Sequence, residues 1–180
     1  MSKRVLLPIT NGFEEIEAIT IVDILRRAGA SVIIAALEKR QIVGAHGVAL
    51  KADAVLGDVL NENFDLVALA GGGENAQSLS TNADALAVIK RHFEAGRVVA
   101  AICAAPIALA KAGVLKGEYT CFGGCEKTIE SGKYISAAVV EDGAVITSQG
   151  AGTAAAFAFA LVARLFDYAL AQKLKSTMYF

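Results

Sequence analysis

Along this chain, short runs of consecutive apolar residues alternate with longer stretches in which apolar positions recur every three or four residues, the patterns of buried strands and of amphipathic helices. Arg4-Val-Leu-Leu-Pro-Ile9 reads as a strand, and Phe13 to Ala28 as a helix closed by Gly29. Ser31 to Ala36 is a second strand. Gln41 to Val55 alternates only weakly, contains Gly44 and Gly47, and fits a short hairpin or edge strands. Leu66 to Leu69 predicts a buried strand that runs into Gly71-Gly72-Gly73. Asn82 to Glu94 has helical periodicity ended by Gly96, and Val98 to Ile102 is a strand leading directly into Cys103. A helix from Pro106 to Lys111, a last strand from Ala144 to Thr147 and one long alanine-rich helix from Thr153 to Leu174 complete the pattern.

Strands separated by helices are best satisfied by a mostly parallel sheet with helices on both faces, so the fold class is α/β. At 180 residues the chain is expected to form a single domain over residues 1–180. The hydrophobic fraction of 55% and the charged fraction of 19% suit a sheet buried on both sides and leave apolar surface for a partner subunit. With 17 basic and 18 acidic residues, no global field draws the chain to nucleic acid or an anionic membrane. The N-terminus lacks the pattern of a targeting peptide, and the apolar stretch from Ala154 stops at Arg164, short of the ~20 residues of a membrane span. A soluble, cytoplasmic protein is expected. The odd number of cysteines, Cys103, Cys121 and Cys125, fits free thiols in a reducing compartment.

In sheets of this class, ligands gather beyond the carboxyl ends of the strands, here the loops 10–17, 70–75, 103–106 and 148–153. Cys103 sits in the third of these, between an apolar strand and a helix with proline in its early turn, flanked by small residues. Such a turn can carry an exposed nucleophile. The amides and dipole of the following helix would stabilise a thiolate and lower the thiol pKa. A buried cysteine packed as a small hydrophobe is the competing reading, and its position favours the reactive one.

Glu17 falls in the apolar stripe of the first helix with Phe13, Ile21, Leu25 and Ala28, a carboxylate where an apolar residue belongs. Burial would raise its pKa and fit it to move protons, whereas Glu14 and Glu15 are expected to complement the helix dipole in solvent. Ile16, Ile19 and Asp23 lie on another side of the same helix. A helix with two apolar faces needs two partners, so this face is expected to meet a symmetry mate.

Gly71-Gly72-Gly73 can present amides to an oxyanion but lacks the spacing of a dinucleotide or phosphate loop, and no cofactor is implied. Gly150-Ala-Gly-Thr153 is ambiguous in the same way. His92 is expected to be solvated among Lys90, Arg91 and Glu94. His46 is either a surface residue or a pocket contact. No histidine or acidic pattern argues for a metal, and Cys121 and Cys125 read as accessory thiols.

Four segments, Gly12-Phe-Glu-Glu-Ile-Glu17, Ala70-Gly-Gly72, Ala101-Ile-Cys-Ala-Ala-Pro106 and Thr147-Ser-Gln-Gly-Ala-Gly-Thr153, resemble the motifs of the ThiJ/PfpI superfamily in order and spacing, nearest its branch of DJ-one-like and bacterial ThiJ-like chaperone or deglycase proteins. The resemblance implies a flavodoxin-like three-layer sandwich and a homodimer. It also implies a reactive Cys103 beside a protonated Glu17, with an anion pocket from the amides of Gly72 and Ala104. Five positions depart from the pattern. Ala104 stands where PfpI-type proteases have histidine, which argues against a Cys-His protease dyad. Ala70 and Ala151 replace prolines of many relatives, His46 replaces a pocket arginine, and Phe122 stands where some relatives place a histidine near the cysteine. Glu17 is then the one evident acid/base in reach. The activities the resemblance implies are glutathione-independent removal of 2-oxoaldehydes such as methylglyoxal, or deglycation of adducted macromolecules. The alternative is oxidative-stress sensing or chaperoning through oxidation of Cys103.

Overall fold

The structure, a computed structural model, describes residues 2–180. In chain order, β1 (Arg4–Ile9) leads to α1 (Glu15–Arg27), β2 (Ser31–Ala36), the small hairpin β3 (Gln41–Val43) and β4 (Ala49–Lys51), then β5 (Ala54–Val55) and the single turn α2 (Leu56–Val59). β6 (Leu66–Leu69) is followed by α3 (Gly73–Thr81) and α4 (Ala83–Glu94), and β7 (Val98–Ile102) by α5 (Pro106–Lys111). Two short strands, β8 (Glu118–Tyr119) and β9 (Lys133–Tyr134), precede β10 (Val139–Asp142), β11 (Val145–Ser148), α6 (Ala154–Leu165) and α7 (Tyr168–Thr177).

The central sheet has seven strands in the order β10-β11-β7-β6-β1-β2-β5, parallel throughout except for the edge strand β10. Its core, β2-β1-β6-β7-β11, has the 2-1-3-4-5 order of flavodoxin-like sheets. Strand residues alternate between two cores, as the period of two requires. Val5, Leu7 and Ile9 of β1 and Ala100 and Ile102 of β7 face α1 and α6. Leu6, Val99 and Ala101 face the layer built from α3, α4 and α5. Burial on both faces explains the strongly apolar composition. Among the described residues no helix is long and apolar enough to cross a membrane.

Several expectations are corrected. α1 starts at Glu15, because Gly12 has φ +70° and Phe13 is fully buried in the approach to the helix. The glycine run opens α3, and Asn82 caps α4 by accepting from Ala85 N–H at 2.9 Å. The expected single C-terminal helix is two, divided at Phe166, with Asp167 capping α7 through Leu170 N–H at 2.7 Å. His92 is not solvated: it is 2% exposed, with Nε2 facing Phe64 N–H at 3.1 Å and Nδ1 at 2.8 Å from the Val88 carbonyl. Those contacts fix the neutral tautomer with its proton on Nδ1. Burial holds the His92 pKa below its ordinary value, opposed by the Val88 carbonyl and helped by the charges of Arg91 and Arg97. Glu15 is also not a solvated dipole partner, since it is 9% exposed and tied to the β3–β4 hairpin.

Candidate active site

The order of the sheet reverses between β1 and β6, and the loops after β1, β6 and β7 open side by side at the strands' carboxyl ends. Glu17 on α1, Gly71 and Gly72 after β6, and Cys103 after β7 converge there. Cys103 has φ +65°, a left-handed conformation that side chains other than glycine rarely adopt. Its own backbone pins it: Cys103 N–H donates to the Ser148 carbonyl at 3.0 Å, and its carbonyl accepts from Phe122 N–H at 2.8 Å. The strain turns the thiol away from the strand toward the loops, where it is half-buried.

Glu17 is fully buried. Its Oε2 accepts from Gly71 N–H at 2.7 Å, and its carboxyl lies beside the Cys103 side chain across Gly71. Its Oε1 has no hydrogen-bond partner among the described residues. The close approach depends on Gly71: a Cβ there would lie 2.5 Å from Cys103 Cβ and 2.6 Å from Glu17 Oε2. Gly72, at φ +87°, passes against the chain before α1, where a Cβ would come within 2.1 Å of the Gly12 carbonyl oxygen. The amides of Gly72 and Ala104 act to lower the Cys103 thiol pKa.

Burial pushes the Glu17 carboxyl up to about 7. The Gly71 amide and Cys103 oppose this, and the nearby charge of Glu14 adds to it. Burial also pushes the Cys103 thiol up to about 12, followed by the charge of Glu17 and its hydrogen bond, while the Gly72 and Ala104 amides pull it down. This is opposite to the lowering expected from the turn and helix alone. Two of the three causes of the rise belong to ionised Glu17 and vanish when that carboxyl is protonated. Near neutral pH the pair therefore carries at most one negative charge, and the thiolate belongs to the state in which Glu17 is neutral.

Asn75, not singled out by the sequence, is fully buried and ties two of these loops together. Its Oδ1 accepts from Thr10 N–H at 2.8 Å, and its Nδ2 donates to the carbonyls of Ala70 at 2.8 Å and Gly71 at 3.1 Å. An amide just after a glycine run, on the inner face of a helix, was the available signal. The segment after β11 is held by Thr153 Oγ1, 2.7 Å from Ser148 Oγ and accepting from Gly150 N–H at 3.1 Å.

The remaining sequence candidates separate. His46 places Nδ1 2.9 Å from Glu15 Oε2 and 3.7 Å from Glu14, with its side chain 70% exposed. For Glu15, burial acts to raise the pKa, but the His46 side chain and the amides of residues 15, 46 and 48 outweigh it and hold the carboxyl at about 2. The same contact raises the His46 pKa, so the pair acts as a clamp between α1 and the hairpin. Glu14, Glu15 and His46 offer ligand atoms within 4.8 Å of one another, but the contacts described already engage Glu15 and His46. Ile16 and Ile19 are exposed on the outer face of α1, and Asp23 pairs with Arg27 at 2.7 Å. Cys121 is fully buried, and burial, then Cys125 and Glu126, push its thiol up to about 12. A cleft of about 500 Å³ along α6 and α7, between Phe159, Tyr168 and Phe180, is lined by neither Cys103 nor Glu17.

Over 168 residues the chain is 36% identical to Protein DJ-1 homolog B of Arabidopsis thaliana, covering 91% of this chain but only 38% of that protein. It likewise spans 46% of homolog A from the same plant, so the chain covers less than half of these longer relatives. It is 34% identical to a glutathione-independent glyoxalase of Caenorhabditis elegans, covering 91% of this chain and 88% of that one. It is 33% identical to a deglycase of Thermococcus kodakarensis, covering 83% and 91%. The crystal structure of Drosophila melanogaster DJ-1beta superposes with a TM-score of 0.96 at 32% identity, covering 99% of this chain and 98% of that one. Residues 3–164 match the family described as DJ-1/PfpI, and with this fold and these relatives the chain belongs to that family.

Proposed function

We propose that the protein converts 2-oxoaldehydes such as methylglyoxal to 2-hydroxy acids without glutathione, with Cys103 as nucleophile and Glu17 as acid and base. The observation that carries this reading is a buried carboxyl, with one oxygen unpartnered, packed beside a strained and half-exposed thiol. Proton transfer from Cys103 to Glu17 gives a thiolate beside a neutral acid. The sulfur adds to the aldehyde carbon of R–CO–CHO, and the amides of Gly72 and Ala104 face the charge that develops there. Glu17 gives the thiol's proton to the new alkoxide, completing the hemithioacetal, and as a carboxylate it then takes the proton from the first substrate carbon and returns it to the second, converting the hemithioacetal into a thioester of the 2-hydroxy acid. One water hydrolyses the thioester and restores the thiol, so substrate plus water gives product. A carboxyl with a pKa of about 7 can both accept and return that proton near neutrality.

The relatives named glyoxalase and deglycase support this chemistry, and deglycation of an adducted macromolecule would begin with the same thiolate. The test is lactate formation from methylglyoxal by the wild type and by Cys103→Ala. The variant is expected to fall to the uncatalysed background, and equal rates would refute the proposal.

The unpartnered Glu17 Oε1 also favours a second reading, oxidation of Cys103 by peroxide to a sulfinate that a protonated Glu17 would hydrogen-bond. Peroxide titration followed by peptide mass should then modify Cys103 ahead of buried Cys121. Equal modification of the two would contradict it.

A further inference from the structure

The wall of the site opposite Glu17 is formed by a residue that the chemistry above does not use. Phe122 is 56% exposed, an unusual place for a phenyl ring unless something covers it. Its position is nevertheless fixed by the reactive cysteine, because Phe122 N–H donates to the Cys103 carbonyl at 2.8 Å. Across from it, Gly150 carries no side chain. A Cβ at Gly150 would lie 3.6 Å from the Phe122 ring and 4.0 Å from Glu17 Oε1, so this glycine alone separates the buried carboxyl from the aromatic edge. Phe122 and Gly123 on one side and the segment from Gln149 to Thr153 on the other enclose a shallow cleft of about 420 Å³, and none of its lining residues is charged. Nearby charges are unfavourable to anions: Glu14 lies close enough to Glu17 to raise its pKa, and the imidazole of His46 is engaged by Glu15.

We infer that Phe122 and the small residues facing it form a subsite for a flat, apolar and uncharged substituent on the second carbon of the substrate, and that Phe122 sets the preference of Cys103 for aryl over methyl 2-oxoaldehydes. The inference rests on the reading of the site as acting on 2-oxoaldehydes. An aryl ring entering along Gly150 meets the Phe122 face or edge, and a stacked or edge-on aromatic pair is favoured over a methyl group in the same place. A carboxylate- or phosphate-bearing substituent would meet an uncharged wall and the acidic flank of α1.

The experiment compares phenylglyoxal with methylglyoxal in the wild type and in Phe122→Ala. The exposed side chain makes the variant safe for folding, and its backbone N–H to Cys103 is retained. The wild type is expected to favour phenylglyoxal in kcat/KM, and the variant to lose roughly fivefold of that preference while methylglyoxal turnover changes less than about twofold. An equal change for both substrates would overturn the subsite. Labelling of Cys103 by N-phenylmaleimide and N-methylmaleimide reads the same wall without turnover. If neither aldehyde is turned over, the proposed reaction fails, while a phenyl-over-methyl labelling preference that falls in Phe122→Ala still supports the subsite and an unchanged ratio removes it.

Discussion

At the residue scale, the account turns on the proton of Glu17. A glutamate with a pKa of about 7 in the fold holds its proton between roughly pH 4.5 and 7, where the same residue in the unfolded chain has lost it. The folded state then binds more protons, so stability falls as pH rises through that window, by about 3 kcal/mol in all. Glu17→Gln keeps an oxygen to accept from Gly71 N–H but cannot ionise, so it should lack this loss. Urea unfolding of both proteins at pH 5 and pH 8 checks this: their difference in stability should shift in favour of the variant at pH 8, and a constant difference would mean that Glu17 ionises freely. The sequence announced both partners, Glu17 as a carboxylate in an apolar stripe and Cys103 as a thiol on a turn. It did not reveal the sign of the thiol's shift, because burial and the carboxylate's own charge outweigh the helix amides only once the distance between the two side chains is known. It also misplaced His92, and it left His46 open between the surface, where the structure has it, and the pocket. Pattern carries no sign that Glu15 waits for the ring of His46 in the hairpin turn, or the Phe64 amide for the ring of His92 on α4.

At the element scale, strand periodicity survived almost unchanged, since β1, β2, β6 and β7 are bounded by turns that the sequence marks with glycine, proline or polar residues. Helix boundaries suffered where a cap looks like an ordinary helical residue. The alanine-rich C-terminal stretch shows continuous apolar periodicity across Phe166, yet the chain breaks there and Asp167 starts a new helix through its bond to Leu170 N–H. Asp167→Ala removes that cap and is expected to destabilise the protein by about 1 kcal/mol, lowering the urea midpoint at unchanged slope. No change would mean that packing of α7 against α6, not the cap, ends the first helix. The region from Ala112 to Gly143 was illegible for a different reason. β8 and β9 are two residues long, too short for any period to register, and are assembled by pairing across the loop.

At the scale of the whole molecule, the α/β class follows from alternation alone, and the parallel order of the sheet brings the ends of β1, β6 and β7 together at one site. The outer face of α1 remains unmatched within the described residues: Ile16 is 58% and Ile19 43% exposed, on the same turn as the buried Glu17. We propose that a second copy covers this face, which would place the dimer contact on the same helix that holds the acid. Sedimentation at micromolar concentration should give a dimer, and the double substitution Ile16→Lys with Ile19→Lys a folded monomer. A monomeric wild type would contradict it.

The central claim is a division of labour, with Cys103 forming the bond to substrate and Glu17 moving the proton. The most direct measurement is carbon-13 NMR of labelled methylglyoxal mixed with Glu17→Gln. The account predicts that the hemithioacetal on Cys103 still forms, its thiol proton passing to solvent once the Glu17 charge no longer holds the thiol pKa up, while lactate appears at least about a hundredfold more slowly than with the wild type. Lactate at the wild-type rate, or loss of the Cys103 adduct in a folded variant, would contradict it.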